Sequence, residues 1–242
     1  MTSPRSPELH HEERGAGEPL VLLHGFGGSG KNWSPFTEEL AKHYRLIIVD
    51  LRGHGHSPNP EGTFTHRDAA RDVFLSLDRL KVGRFSAMGL SSGGMTLLHM
   101  ATSQPERIDA LVLVSATTHF PDQARTIMRR ASFDTLPPAV RHMYRQCAPR
   151  GDDQIRQLLA QFNALADNHD DMNFTATSLS TITARTLVVH GDRDNFFPVE
   201  IPVTLSRSIP KAELWMIPGG DHVPVFDLTI PFVSTALRFL RG

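Results

Sequence analysis

A serine between two glycines closes an apolar run in the stretch Ala87-Met88-Gly89-Leu90-Ser91-Ser92-Gly93-Gly94. A hydroxyl attacks poorly unless a base removes its proton, so Ser91 is a candidate nucleophile only in company with a histidine and a carboxylate. Both types follow late in the chain. His190-Gly191-Asp192-Arg193-Asp194 ends one apolar run, and Pro218-Gly219-Gly220-Asp221-His222 follows another. A carboxylate of the first loop can orient an imidazole, and His222, after its glycine turn, can swing toward Ser91. The helical N–H groups that begin at Ser92 point at whatever the serine attacks, which suits a developing oxyanion.

A second oxyanion donor would come from His24-Gly25-Phe26-Gly27-Gly28-Ser29-Gly30, a loop with three readings. Gly25, Gly27 and Gly30 fit a dinucleotide fingerprint, with Asp50 about twenty residues on to meet a ribose. Gly25 through Lys31 also fits a phosphate loop, although Asn32 stands where Ser or Thr should hold magnesium. In the third reading the glycines bend the backbone over the serine turn, so that the N–H of Phe26 faces the alkoxide. His54 and His56 would share one side of an extended loop. A metal pair there lacks a third ligand, and solvent-facing histidines are expected.

These groups need a scaffold that gathers distant loops at one edge. Apolar runs of strand length at 19–23, 46–50, 84–88, 108–114, 185–189 and 214–217 alternate in the first half with helical patterns at 32–43, 65–80 and 92–104. The alternation predicts an α/β fold, a mostly parallel central sheet with helices on both faces, whose strand ends carry every loop named above. Gly89 and Gly93 must be small, because strand and helix nearly touch at the serine turn. Residues 1–7 are expected to be loose, and 8–14 to form an edge strand turning at Gly15-Ala16-Gly17. On the 65–80 helix, Ala69, Val73, Leu75 and Leu80 are expected to face inward. Between 117 and 183 the alternation stops and an insertion is expected.

A chain of 242 residues with 40% hydrophobic content and a formal net charge of −1 fits one large domain and offers no basic field for nucleic acid. Cys147 is the only cysteine, which excludes an intrachain disulfide framework and a thiolate zinc cluster. No segment joins a basic region to an apolar stretch of signal-peptide length, and no run reaches the length of a membrane span. A soluble cytoplasmic protein without a membrane partner is therefore expected.

From Pro19 to the C-terminus the chain resembles the α/β-hydrolase fold family, in its serine-nucleophile branch. The resemblance lies in His24-Gly25-Phe26-Gly27, residues 50–57, Gly89-Leu90-Ser91-Ser92-Gly93, residues 191–198 and the Asp221-His222 turn. It implies a triad of Ser91, Asp194 and His222, the family's G-x-x-D-x-x-x-P spacing selecting Asp194 over Asp192. It further implies an oxyanion hole from the amides of Phe26 and Ser92, with no cofactor and no metal. Asp221 departs from the glycine that members often carry before the histidine. The implied layout is a core of 1–116 and 184–242, with a helical cap of 117–183 inserted after the sixth strand.

Arginines 125, 129, 130, 141, 145 and 150 crowd the first half of that cap and aspartates the second, and the halves are expected to neutralise each other rather than form a basic mouth. Ile127, Met128, Phe133, Met143, Tyr144, Phe162, Met172 and Phe174 are candidates for its underside. The chain looks most similar to small carboxylesterases and enol-lactonases, which implies cleavage of a small to medium ester or lactone. Carbon–carbon bond hydrolases, thioesterases and perhydrolases use nearly the same residues. The rival classes are a nucleotide-binding enzyme built on the 25–30 loop and a ligand-binding protein without turnover.

Overall fold

The computed structural model describes residues 7–242, so the loose segment expected at the N-terminus lies, apart from Pro7, outside the described residues. Among the described residues seven strands form one sheet: β1 His11–Arg14, β2 Pro19–Leu23, β3 Arg45–Val49, β4 Phe85–Leu90, β5 Ile108–Val114, β6 Arg185–Gly191 and β7 Ala212–Ile217. Their spatial order is β1-β3-β2-β4-β5-β6-β7. Only β1 runs antiparallel to its neighbour; the other pairs are parallel. The interior strands read as continuous apolar runs because both their faces are covered. At the edge, β1 carries the polar sequence His-Glu-Glu-Arg, a composition that discourages pairing with another chain.

From β2 the chain moves outward to β3 and then returns to the other side of β2 to form β4. The connections of β2 and β4 therefore leave in opposite directions and open a crevice at their C-terminal ends, where ligands bind in open α/β sheets. Leu23 pairs with Gly89, so the glycine loop and the serine turn emerge side by side.

Helices α2 (His66–Arg79) and α3 (Ser92–Ser103) cover one face, while α1 (Ser34–Leu40) and α9 (Thr229–Arg241) cover the other. Thr65 caps α2 by accepting the Asp68 N–H at 3.0 Å. The buried stripe of α2 is Ala69, Ala70, Val73, Phe74 and Leu77; Leu75 and Leu80, expected inward, lie off it and are half-buried. The helix expected at 32–43 is split into a 3-10 turn, Gly30–Trp33, and α1, because Pro35 favours the first turn of a new helix.

Four helices lie between β5 and β6: α4 (Asp122–Arg130), α5 (Pro138–Cys147), α6 (Asp152–Leu165) and the one-turn α7 (Ala176–Leu179), the first three forming the cap. Among the described residues this insertion follows the fifth strand, because one strand is described before β2. Phe133, Ala148, Ile155 and Leu159 give the cap a small core of its own. Its basic and acidic parts neutralise each other as expected, through Arg129–Asp167 at 2.8 Å, Arg145–Asp152 at 2.7 Å and Arg156–Asp134 at 3.3 Å. Arg150 and Gln154 fasten the cap to the loop after β3, each donating to Gly53 O at 3.0 Å. Continuing the sequence, α8 spans Glu200–Ser208. Among the described residues no helix is long and apolar enough to cross a membrane.

Candidate active site

The serine turn joins β4 directly to α3. Ser91 has φ 48° and ψ −113°, a conformation that costs a non-glycine residue about 1–3 kcal/mol. Neighbours hold it there: its N–H donates to Val114 O at 2.7 Å, and its carbonyl accepts the Met95 N–H at 2.9 Å. A Cβ on Gly89 would overlap the backbone of Gly93 and Gly94, and one on Gly93 would overlap Leu23 and His24. Both glycines are therefore required, as the sequence suggests.

Ser91 Oγ lies 2.9 Å from His222 Nε2, and His222 Nδ1 lies 2.8 Å from Asp194 Oδ2. Val223, left-handed at φ 60°, sets the backbone beside the histidine and donates its N–H to Ser115 Oγ at 3.2 Å. A Cβ on Gly191 would overlap the carbonyls of Gly220 and Asp221, so the histidine turn rests on the end of β6. The Asp221 side chain is exposed. Asp194 Oδ1 accepts the amides of Phe196 at 2.7 Å and Phe197 at 3.1 Å.

Burial pushes the Asp194 carboxyl up, but the bond and charge of His222 and the two amides together outweigh it and hold the group below its ordinary range. An ionised Asp194 keeps a proton on His222 Nδ1, and in the singly protonated ring Nε2 can take the proton of Ser91. Asp192 does something else: it accepts the Gly219 N–H at 2.6 Å on an exposed turn. The sequence reading assigned nothing to His190, which sits under Asp194, 2.9 Å from Phe197 O. Burial lowers its pKa and favours the neutral ring.

His24 orients the glycine loop. Its Nε2 accepts the Leu51 N–H at 3.0 Å, so Nδ1 carries the proton and donates to Gly25 O at 2.7 Å. Burial lowers the pKa of this ring and keeps it neutral, as the acceptor role requires. The Gly25–Phe26 peptide is trans, so Phe26 N–H points away from that anchored carbonyl. Among the described residues neither Phe26 N–H nor Ser92 N–H donates to a chain atom. A Cβ on Gly25 would stand 3.6 Å from Ser91 Cβ, which measures how closely the loop overlies the serine.

The groups that a bound nucleotide would need are committed within the fold. Gly30 N–H donates to Asp50 Oδ1 at 2.7 Å, Asp50 Oδ2 accepts the His56 N–H at 2.9 Å, and Lys31 Nζ reaches Gln146 O at 3.0 Å. Asn32 caps the loop, accepting the Ser29 N–H at 3.2 Å. His54 and His56 do not share a side. His54 is buried edge-on against Phe26 and Phe64, because its ring completes an aromatic cluster, whereas His56 is exposed beside His10 and Asp50.

Above Ser91 and His222 lies a cavity of about 340 Å³. Met95, Phe120, Met128, Phe162, Leu165, Asn32, Met143, Tyr144, Cys147 and Phe226 contribute to its wall. Among the described residues no Asp, Glu, Lys or Arg lines it. Tyr144 packs against Gly27, and burial pushes its hydroxyl up to about 12. Of the expected underside residues, Met128, Met143, Tyr144 and Phe162 line the cavity. Phe133 belongs to the cap's own core, Met172 to the main core, and Phe174 lies against His99, because helical spacing alone does not tell the two sides of a thin cap apart.

Three kinds of comparison agree with this architecture. A pimeloyl-[acyl-carrier protein] methyl ester esterase from Vibrio vulnificus is 26% identical over 97% of this chain and 98% of its own length. A 2-hydroxy-6-oxononadienedioate/2-hydroxy-6-oxononatrienedioate hydrolase from Burkholderia vietnamiensis is 27% identical, covering 96% and 91% respectively. The enol-lactonase from Burkholderia xenovorans LB400 shares the fold with a TM-score of 0.81, at 24% identity and 98% coverage of both chains. Residues 18–137 match the family model described as alpha/beta hydrolase fold, and with the sheet order, the serine turn and the helical cap this makes the chain a member of the alpha/beta hydrolase fold family.

Proposed function

We propose that the protein is a serine hydrolase that cleaves neutral carboxylic esters or lactones of small to medium size through an acyl-enzyme on Ser91. The observation that carries this reading is the hydrogen-bonded line Ser91–His222–Asp194 opening on a cavity without a charged wall. His222 Nε2 takes the Ser91 proton as Oγ bonds to the acyl carbon, and the carbonyl electron pair moves onto oxygen. The amides of Phe26 and Ser92 hold that oxyanion, such donors contributing about 3–4 kcal/mol each. When the oxyanion collapses, the alcohol oxygen leaves with the proton from His222. Water repeats the sequence on the acyl-enzyme, giving the acid and free Ser91. Residues 117–183 act as the lid that sets acyl specificity.

The uncharged wall supports a neutral substrate. An ionised carboxylate drawn into this cavity would lose its water without gaining a cation, a cost of several kcal/mol. That separates the reading from the relative whose name denotes a dienedioate, while the relatives named for a methyl ester support ester cleavage. The cavity volume of about 340 Å³ is near the lower end of ligand sites, which favours short acyl groups. The test is turnover of p-nitrophenyl acetate, butyrate and octanoate, simple lactones and a carboxylate-bearing ester, with fluorophosphonate labelling. Short neutral substrates and a label on Ser91 are expected, with Ser91→Ala losing on the order of 10⁴-fold in turnover. Activity retained in Ser91→Ala, or a preference for the carboxylate-bearing ester, overturns the reading.

A further inference from the structure

The residue after Ser91 belongs to a second line that mirrors the first and lies wholly inside the protein. Ser92 Oγ is 3.1 Å from His66 Nε2, and His66 Nδ1 is 2.6 Å from Asp171 Oδ2. Ser92, His66 and Asp171 are at most 3% exposed. Asp171 also accepts the first amides of α2, those of His66 at 2.8 Å and Arg67 at 3.1 Å. Burial alone would push its carboxyl up. The bond and charge of His66, together with the two amides, outweigh burial and hold it at about 2. An ionised Asp171 keeps a proton on His66 Nδ1, and His66 Nε2 meets the Ser92 hydroxyl. His99, 3.5 Å from the other carboxylate oxygen, is pressed by burial to about 4 and stays neutral at pH 7.

The three residues come from three parts of the fold. Ser92 opens α3, His66 opens α2, and Asp171 lies in the segment by which the cap returns to the core. Next to it the neck of the cap closes, where Asn173 bridges His119 and the Phe174 N–H donates to Thr118 O at 3.0 Å. His66 does not line the cavity and cannot touch a substrate there. Ser92 has no helical partner for its N–H, so the direction of that amide depends on what holds the residue. Its hydroxyl is held by His66, and its carbonyl accepts Thr96 Oγ1 at 2.8 Å.

We propose that His66 and Asp171 are positioning residues, which tie the neck of the cap to Ser92 and hold the Ser92 amide on the oxyanion. The proposal rests on the serine-hydrolase reading. Hydrogen bonds weaken as the donor tilts, so loosening this tether acts on the charged intermediate and leaves ground-state binding intact.

Two variants cut the same bond from opposite ends. His66→Asn keeps an N–H where Nδ1 stood, facing Asp171, and lacks the atom that meets Ser92. Ser92→Ala removes the hydroxyl. Turnover of p-nitrophenyl butyrate is measured per active site titrated with fluorophosphonate, so that unfolded protein does not count. Each variant is expected to lose about tenfold in kcat with little change in KM, a fraction of the 10²–10³ that follows loss of a whole oxyanion donor. A boronic acid that mimics the tetrahedral adduct should weaken by the same factor, and the double variant should be no worse than either single one.

Wild-type kcat in either single variant, or losses that multiply in the double, overturns the proposal. If His66→Asn yields no titratable enzyme, Ser92→Ala decides alone: an unchanged kcat and boronic acid affinity refute the tether. Activity in Ser91→Ala would instead bring down the hydrolase reading. An inactive Ser91→Ala beside a fully active Ser92→Ala brings down only this inference.

Discussion

Phe133 and Phe162 are both aromatic residues of the cap, yet their alanine variants should fail in opposite ways. Phe133 is 7% exposed, packs with Ile155 and Leu159, and carries the guanidinium groups of Arg156 and Arg141 over its ring at 4.1 and 4.7 Å. Truncating a buried phenylalanine costs about 3–5 kcal/mol. The low end applies to so small a cluster, so about 3 kcal/mol is expected, or roughly 6–12 °C in Tm at 2–4 °C per kcal/mol. Phe162 lines the cavity and stacks on Phe26 with ring centroids 5.0 Å apart. Removing its ring enlarges the cavity, and single pocket contacts discriminate by about 1–3 kcal/mol. The octanoyl-to-butyryl ratio of kcat/KM should therefore rise at least fivefold or so in Phe162→Ala. In Phe133→Ala that ratio should stay at the wild-type value while thermal unfolding shifts down. A changed ester ratio in Phe133→Ala, or an unchanged one in Phe162→Ala, refutes this division of the cap.

Asp194→Asn should lose several orders of magnitude in kcat/KM, whereas Asp192→Asn, which loosens only the exposed Gly219 turn, should lose less than about tenfold; equal losses on the ester assay would contradict the geometry. Gly93→Ala should yield little folded protein, because the new methyl meets the backbone of Leu23 and His24 and not a movable side chain, and a normal urea midpoint would refute that. Asp171 titrates at about 2 in the folded state against 3.8 in the unfolded chain, so it stabilises above the unfolded value and the effect is lost as pH falls through 4 toward 2. Urea titrations of wild type and Asp171→Asn should differ by about 2 kcal/mol near pH 7, keep most of that gap down to about pH 4 and converge toward pH 2, whereas a constant gap would contradict the linkage.

Strands and turns were legible because their causes are local. A strand covered on both faces must be apolar throughout, and a helix that starts where a strand ends must have glycine at Gly89 and Gly93. Loops at strand ends could be grouped at one edge, which placed Ser91, Asp194 and His222 near one another before any distance was known. What could not be read depends on partners far apart in sequence. His24 became an orienting residue only because Leu51 donates to it, and His66 only because Asp171 meets it from the returning cap. His54 misled because a loop histidine is ordinarily wet, and nothing local announced the cluster with Phe26 and Phe64. Nor did residue type separate Phe133 from Phe162, since the cap has an inner core as well as an underside.

The fastenings of the cap are spread unevenly around its rim. Arg150 and Gln154 close one flank against the loop after β3, and Asp171 closes the neck against α2. The remaining rim lies where Met143 of α5 and Phe226 beyond His222 line the cavity and also reach solvent, at 63% and 42% exposure. A substrate of the proposed hydrolysis would meet these two apolar side chains at the rim. Near that rim, α5 is tethered through the contact of Lys31 with Gln146 O, an exposed bond on a long flexible stem. On the proposed function, small movements of α5 would alter the mouth of the cavity before they disturbed the loops that carry Ser91, Asp194 and His222.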